Sequence, residues 1–156
     1  MKTKPTVILN SGEYLWGCQA AIIRQAQNVA LDRKPRNNLC ETIAGGLKKH
    51  VVGCLGELAF AKFIGSYATG MFDFRAADVA PNWEVKARDR SDAHLILQDD
   101  TIPDHRYVLL TTKSGLEFEI CGWIWGKEAL KVPISDKFNT GRPAIWISQD
   151  MLNPFD

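Results

Sequence analysis

The chain has 156 residues, 46% of them hydrophobic and 24% charged, with a net charge of +1. That length suits one domain with a real core. The apolar runs fall far short of the ~18 residues a membrane span requires. The opening MKTKPTVIL is too short in apolar residues for a signal peptide, so a cytoplasmic chain is expected. Cys18, Cys40, Cys54 and Cys121 are widely spaced with no Cys-x-x-Cys pair. This speaks against a zinc site of the usual pattern and for buried free thiols.

Charge is unevenly divided. Residues 1–64 hold nine Lys/Arg against four Asp/Glu, and residues 65–156 hold ten against fourteen, so the halves carry +5 and −4. The basic excess gathers at Arg33, Lys34, Arg36, Lys48, Lys49 and His50. Such a division suits a helical half that touches phosphates and a second half that holds a cation; two solvated faces of opposite sign suit it equally.

In chain order, Leu15, Ala20, Ile22, Ile23, Ala26, Val29 and Ala30 recur at threes and fours, which predicts an amphipathic helix over 13–31. The polar DRKPRNN that follows reads as a loop. A second helical pattern runs from about Glu41 to Phe63. Gly45-Gly46 is expected to interrupt it, leaving a stronger helix from Lys48 to Ile64, with Gly65 at the position that ends it.

Thereafter the period is that of strands. Strands are predicted at Gly70–Arg75, Trp83–Arg88, His94–Leu97, Tyr107–Thr112, Glu117–Trp125 and Ala144–Ile147. Lys113-Ser114-Gly115 supplies a hairpin turn, and residues 126–130 a short helical turn. Trp123 and Trp125 alternate with Ile124 and are expected to pack in the core or an interface. Helices followed by a run of strands indicate an α/β (α+β) chain whose mixed central β-sheet is flanked by helices.

The chemistry-bearing residues lie around the middle of the chain. In Trp83-Glu84-Val85-Lys86-Ala87-Arg88, period two puts Glu84, Lys86 and Arg88 on one strand face. Pro81-Asn82 is turn chemistry that can fold Asp78 back beside Glu84. Two converging carboxylates repel unless a cation neutralises them, and oxygen ligands of this kind suit Mg²⁺ or Mn²⁺. Glu57 sits among small and apolar residues on a core-bound helix, so it must be paired, solvated by a cleft or close to a metal. Ser114 has no His partner in a triad-like context, so serine hydrolase chemistry has no support.

Helical Gly56-Glu57-Leu58-Ala59, then Asp78, then Glu84-Val85-Lys86 resembles the PD-(D/E)XK nuclease superfamily, the restriction-endonuclease-like fold, in order and in spacing. Tyr107-Val108-Leu109-Leu110 and Ile120-Cys121-Gly122-Trp123-Ile124 are similar to the later core strands of small phage-encoded members. The resemblance covers about residues 50–125. Ala77, not Pro, precedes Asp78, and Asp73 within Phe72-Asp73-Phe74 competes for the Asp role with a poorer spacing.

The resemblance implies a single nuclease-like domain over 1–156 with a restriction-endonuclease-like core. It implies metal-dependent cleavage of DNA (RNA is not set aside) in phage recombination, repair or DNA degradation, within the host cytoplasm if phage-encoded. Asp78 and Glu84, with the Val85 carbonyl, would hold Mg²⁺ or Mn²⁺, and Glu57 would complete the shell through water. Lys86 would position or help deprotonate the attacking water. Arg88, Gln98, Lys48 and Lys49 are candidate nucleic-acid contacts. Arg88 reads equally as a surface arginine, and the two lysines also read as a solvated charge run. The rival class is a non-catalytic nucleic-acid-binding or protein-interaction module on the same fold. A homodimer, or a phage or host protein partner, is compatible with either reading.

Overall fold

The computed structural model describes residues 3–31, 42–71, 76–137, 139, 141 and 143–155. The architecture is mixed α+β, with two sheets and three α-helices among the described residues.

Strand β1 (Thr6–Ile8) leads into helix α1 (Ser11–Ala30). A reciprocal cap starts the helix: Glu13 N–H donates to Asn10 Oδ1 at 2.9 Å, and Asn10 N–H donates to Glu13 Oε2 at 2.7 Å. This satisfies two of the orphan donors of the first turn, and it places the start ahead of the expected Glu13. Helix α2 (Ile43–Ile64) runs unbroken through Gly45-Gly46, contrary to the expected interruption. Thr42 caps it through Gly45 N–H at 3.1 Å. Gly46 is buried, and a Cβ there would lie 3.1 Å from Gln25 Oε1 on α1. Each helical glycine costs up to ~1 kcal/mol in propensity, but close approach to α1 outweighs it. Gly65, in the left-handed region at φ 67°, ends α2 as expected.

Helix α1 packs on α2, and α2 packs on a four-stranded sheet of order β1-β5-β4-β2, with β2 (Trp83–Arg88), β4 (Arg106–Thr112) and β5 (Glu117–Trp125). Strands β2 and β4 are parallel and the other pairs antiparallel. Gly56 allows the close contact of α2 with β2, since a Cβ there would lie 2.4 Å from Ala87 Cβ. The core between them holds Leu55, Phe60, Val79, Val85, Val108, Leu110, Phe118 and Ile120. Trp123 packs edge-on against Trp83, with ring centroids 5.7 Å apart.

The expected mixed sheet is present, with its long helices on one face and a second sheet beside it. The face of the sheet away from α2 is covered by a second, three-stranded antiparallel sheet of order β3-β7-β6. Its members are β3 (Leu95–Leu97), β6 (Ile134–Ser135) and β7 (Ala144–Ile147), and the short helix α3 (Gly126–Ala129) precedes β6. Leu95, Leu97, Ile145 and Ile147 meet Tyr107, Leu109, Cys121 and Ile124 in a second core. Strand β4 is therefore buried on both faces, which its near-continuous apolar sequence already suggests.

The predicted strand at Gly70–Arg75 is not formed at its start: Thr69–Met71 is a 3-10 turn, and residues 72–75 lie outside the described ones. Cys54 and Cys121 are buried free thiols and Cys18 is half-buried, while Cys40 lies outside the described residues. Among the described residues, no helix is long and apolar enough to cross a membrane.

Candidate functional site

Among the described residues, strand β2 ends its sheet, with β4 beside it. Trp83, Val85 and Ala87 are buried toward α2, whereas Glu84, Lys86 and Arg88 project from the other face and are half-buried. Across the Pro81-Asn82 turn the preceding segment folds back along the open edge. Val79 and Trp83 exchange two backbone hydrogen bonds of 3.0 Å. This return places Asp78 beside Val85, whose N–H donates to Asp78 Oδ2 at 2.7 Å.

Three predicted side chains converge there. Lys86 Nζ stands 3.9 Å from Asp78 Oδ2 and 3.8 Å from Glu84 Oε2. Between a fifth and a third of each side chain is exposed, so solvent reaches the group. The other oxygen of Glu84 lies 3.0 Å from His105 Nδ1, on the residue just before β4. Burial pushes the Glu84 carboxyl above its ordinary range and the nearby Asp78 carboxylate pushes the same way, while Lys86 and His105 oppose them.

Glu57 is held differently from a carboxylate that completes a metal shell. It is only 4% exposed, and both its oxygens accept from Arg24 of α1, each at 2.8 Å. This is the two-pronged geometry that a guanidinium provides and an ammonium cannot. Burial pushes the Glu57 carboxyl up to about 7 against the pull of Arg24, and Asp78 adds to the rise. Burial also works against the Arg24 charge, but the bonds to Glu57 outweigh it and the guanidinium is held above its ordinary value. Arg24 Nη2 donates as well to the Gly70 carbonyl at 2.9 Å, and Gly70 N–H donates to the Asp78 carbonyl at 3.1 Å. The Arg24–Glu57 pair thus supports the backbone that carries Asp78.

The remaining candidates stand apart from this group. Arg88 turns its guanidinium to its own strand, donating to the Ala87 carbonyl at 3.0 Å, and burial holds its pKa below the ordinary value. Lys48 is ion-paired with Asp89, three residues and roughly 10 Å along the chain from Lys86. Lys49 is exposed on α2, and His50 Nε2 lies 3.0 Å from Asn28 Nδ2. Gln98 follows β3, so it belongs to the second sheet and not to a strand beside β2. Its carbonyl accepts from the Thr101 hydroxyl at 2.6 Å. Asp73, Arg33, Lys34 and Arg36 lie outside the described residues.

Sequence reasoning missed Arg24 and His105. Arg24 carried a usable signal, because it is the single charged residue between Tyr14 and Leu31. A lone arginine in so apolar a helix calls for a buried partner. His105, between Asp104 and the first residue of β4, carried none.

Among the described residues, no group of three or more His, Cys, Asp and Glu side chains is gathered closely enough to hold a metal unaided. The donor set itself suits a hard, strongly hydrated cation. Two carboxylates against one ammonium leave net negative charge at an open strand edge, and Mg²⁺ is commonly held by one or two carboxylates with water and substrate oxygens completing its shell. No protein-family model, curated protein or solved structure matches this chain.

Proposed function

We propose that this chain is a metal-dependent nuclease that hydrolyses phosphodiester bonds in DNA through Asp78, Glu84 and Lys86. One observation carries the reading: two carboxylates from opposite sides of a turn converge on one lysine at the open edge of β2, with Lys86 Nζ 3.9 and 3.8 Å from them. A solvated strand face gives no reason for Asp78 to fold back and be fixed there by the Val85 amide.

Asp78 and Glu84 would hold Mg²⁺ or Mn²⁺. The period of the strand turns the Val85 carbonyl to the same edge as the Val85 amide, where it can join them. When bound, the cation supplies positive charge against the scissile phosphate and lowers the pKa of a nearby water. The chain's own residues do the rest. The Val85 amide fixes the Asp78 carboxylate, and His105 orients Glu84 through its second oxygen. Lys86 presents its ammonium where the attacking water and the developing negative charge meet. Arg24, held by Glu57, bonds the Gly70 carbonyl while the Gly70 amide bonds the Asp78 carbonyl, so the pair act as positioning residues.

The test is cleavage of linear, nicked, branched and single-stranded DNA, and of RNA, with Mg²⁺, with Mn²⁺ and with chelator. Metal-dependent cutting is expected, and Lys86→Ala is expected to lower the rate by 10²-fold or more, on the order of a lost general acid–base group, with DNA affinity little changed. A Lys86→Ala protein that cuts at the wild-type rate refutes the role given to Lys86. Binding that is indifferent to metal, with no cleavage of any substrate, refutes the enzyme and leaves a nucleic-acid-binding module.

A further inference from the structure

Helix α1 is built against the usual sense of an amphipathic surface helix. Its buried positions are Gly17, Ala20 and Ala21, with Arg24 turned inward to Glu57 on the same side. Its large apolar residues face outward: Leu15, Trp16, Ile22, Ile23 and Val29 are between 42% and 67% exposed. The expected core stripe of this helix is therefore largely its outer surface, and only Ala20 of that set is buried. The reason lies in α2, whose Leu55 and Leu58 fill the space over Gly17 and leave room for small residues alone.

The outer face also lacks charge. Within α1 the charged residues are Glu13 and Arg24. Glu13 is engaged by the Asn10 amide and by Lys62 at 2.9 Å, and Arg24 by Glu57. Gln19, Ala26 and Ala30 are the other exposed residues of the outward arc, so it carries no ionic group along about 30 Å of helix. A surface helix ordinarily sets charged residues on that side.

We propose that this face is a self-association surface, on which two copies of the chain pack α1 against α1 about a two-fold axis. This inference is independent of the nuclease reading. Two observations choose a second copy as the occupant. At a two-fold axis a residue meets its own copy, so a charge near the centre of such a contact faces its like; this arc has no ionic group, and its centre is Ile22. Leu15, Ile22 and Val29 recur every seven residues with Trp16 and Ile23 beside them, the spacing at which one helix packs along another, and Ile22 lies at the midpoint of the stripe. With all five large side chains covered, roughly 600 Å² per copy is buried, and two copies reach the ~1,200 Å² at which stable interfaces begin.

The experiment is sedimentation velocity of the full chain, from low micromolar to a hundred micromolar, for wild type, Ile22→Glu, Val29→Glu and the control Ile134→Glu. Ile134 is an equally exposed apolar residue on β6. Wild type and Ile134→Glu are expected as dimers, and both α1 variants as monomers with unchanged far-ultraviolet circular dichroism. Should a glutamate variant fail to fold, Ile22→Ser serves in its place, with dimerisation weakened about tenfold or more. A wild-type monomer at every concentration overturns the proposal and gives the face to a different protein. Dimers that persist in both α1 variants overturn it equally.

Discussion

Replacing Arg24 with methionine removes the only guanidinium bonded to Glu57 among the described residues while keeping much of the side-chain volume. Two charge-assisted bonds of 2.8 Å to a carboxylate that is 4% exposed are lost, together with the bond to the Gly70 carbonyl. Where Glu57 is ionised, breaking a buried pair from one side costs about 3–5 kcal/mol, which in a domain of this size lowers Tm by roughly 6–20 °C. The penalty must depend on pH. In the wild type Glu57 holds its proton up to about 7, against 4.5 for an ordinary glutamate. The folded state therefore binds a proton that the unfolded chain has released, and stability falls as pH rises from about 4.5 to about 7. Above that the wild-type slope from this group vanishes. Without Arg24 the carboxyl moves higher still, so the variant keeps losing stability above pH 7 and its deficit grows from pH 7 to pH 8. From pH 5 to nearly pH 7 Glu57 keeps its proton in both folded proteins, and the deficit stays near the ~1–2 kcal/mol of lost hydrogen bonding. Urea unfolding at pH 5, 7 and 8 measures this. Adding Glu57→Gln to Arg24→Met is expected to remove the pH dependence. An Arg24→Met deficit that is equal at all three pH values, or unaltered by Glu57→Gln, refutes the account of the pair.

Two glycines of α2 separate helix propensity from packing. Gly56→Ala is expected to lose about 1–3 kcal/mol in chemical denaturation, because its Cβ would lie 2.4 Å from Ala87 Cβ, whereas Gly53→Ala meets nothing within 4 Å and is expected to gain about 0.5–1 kcal/mol. Equal effects at the two positions contradict the packing assigned to α2 on β2. Gly70→Ala would set a Cβ 2.7 Å from Asp78 Cα, so the proposed nuclease activity is expected to fall about tenfold or more through displacement of that carboxylate, with Mg²⁺ titrated to show whether excess metal restores the rate. Full activity in that variant would show that the Asp78 backbone is not held at this point.

The strands Trp83–Arg88, Glu117–Trp125 and Ala144–Ile147 were legible in the sequence to their ends, because each is a short alternating or apolar run bounded by turn residues. So was the end of α2, since Gly65 alone suits the left-handed backbone there. The placing of Glu84 with Lys86 follows from strand period alone, and the return of Asp78 from the turn chemistry of Pro81-Asn82. Tertiary structure decided what local pattern does not encode. Two glycines in a row weaken an isolated helix, but contact with α1 keeps α2 continuous across them. The apolar period of α1 fixed that it is a helix and not which side is buried, since that depends on the size of what lies beneath, and Leu55 and Leu58 leave space for Gly17 and the alanines only. The pairing of β3 with β7, the grip of Arg24 on Glu57 and that of His105 on Glu84 join residues 21 to 52 positions apart. A chain's local preferences cannot specify such pairs, because they exist only once the core has brought the elements together.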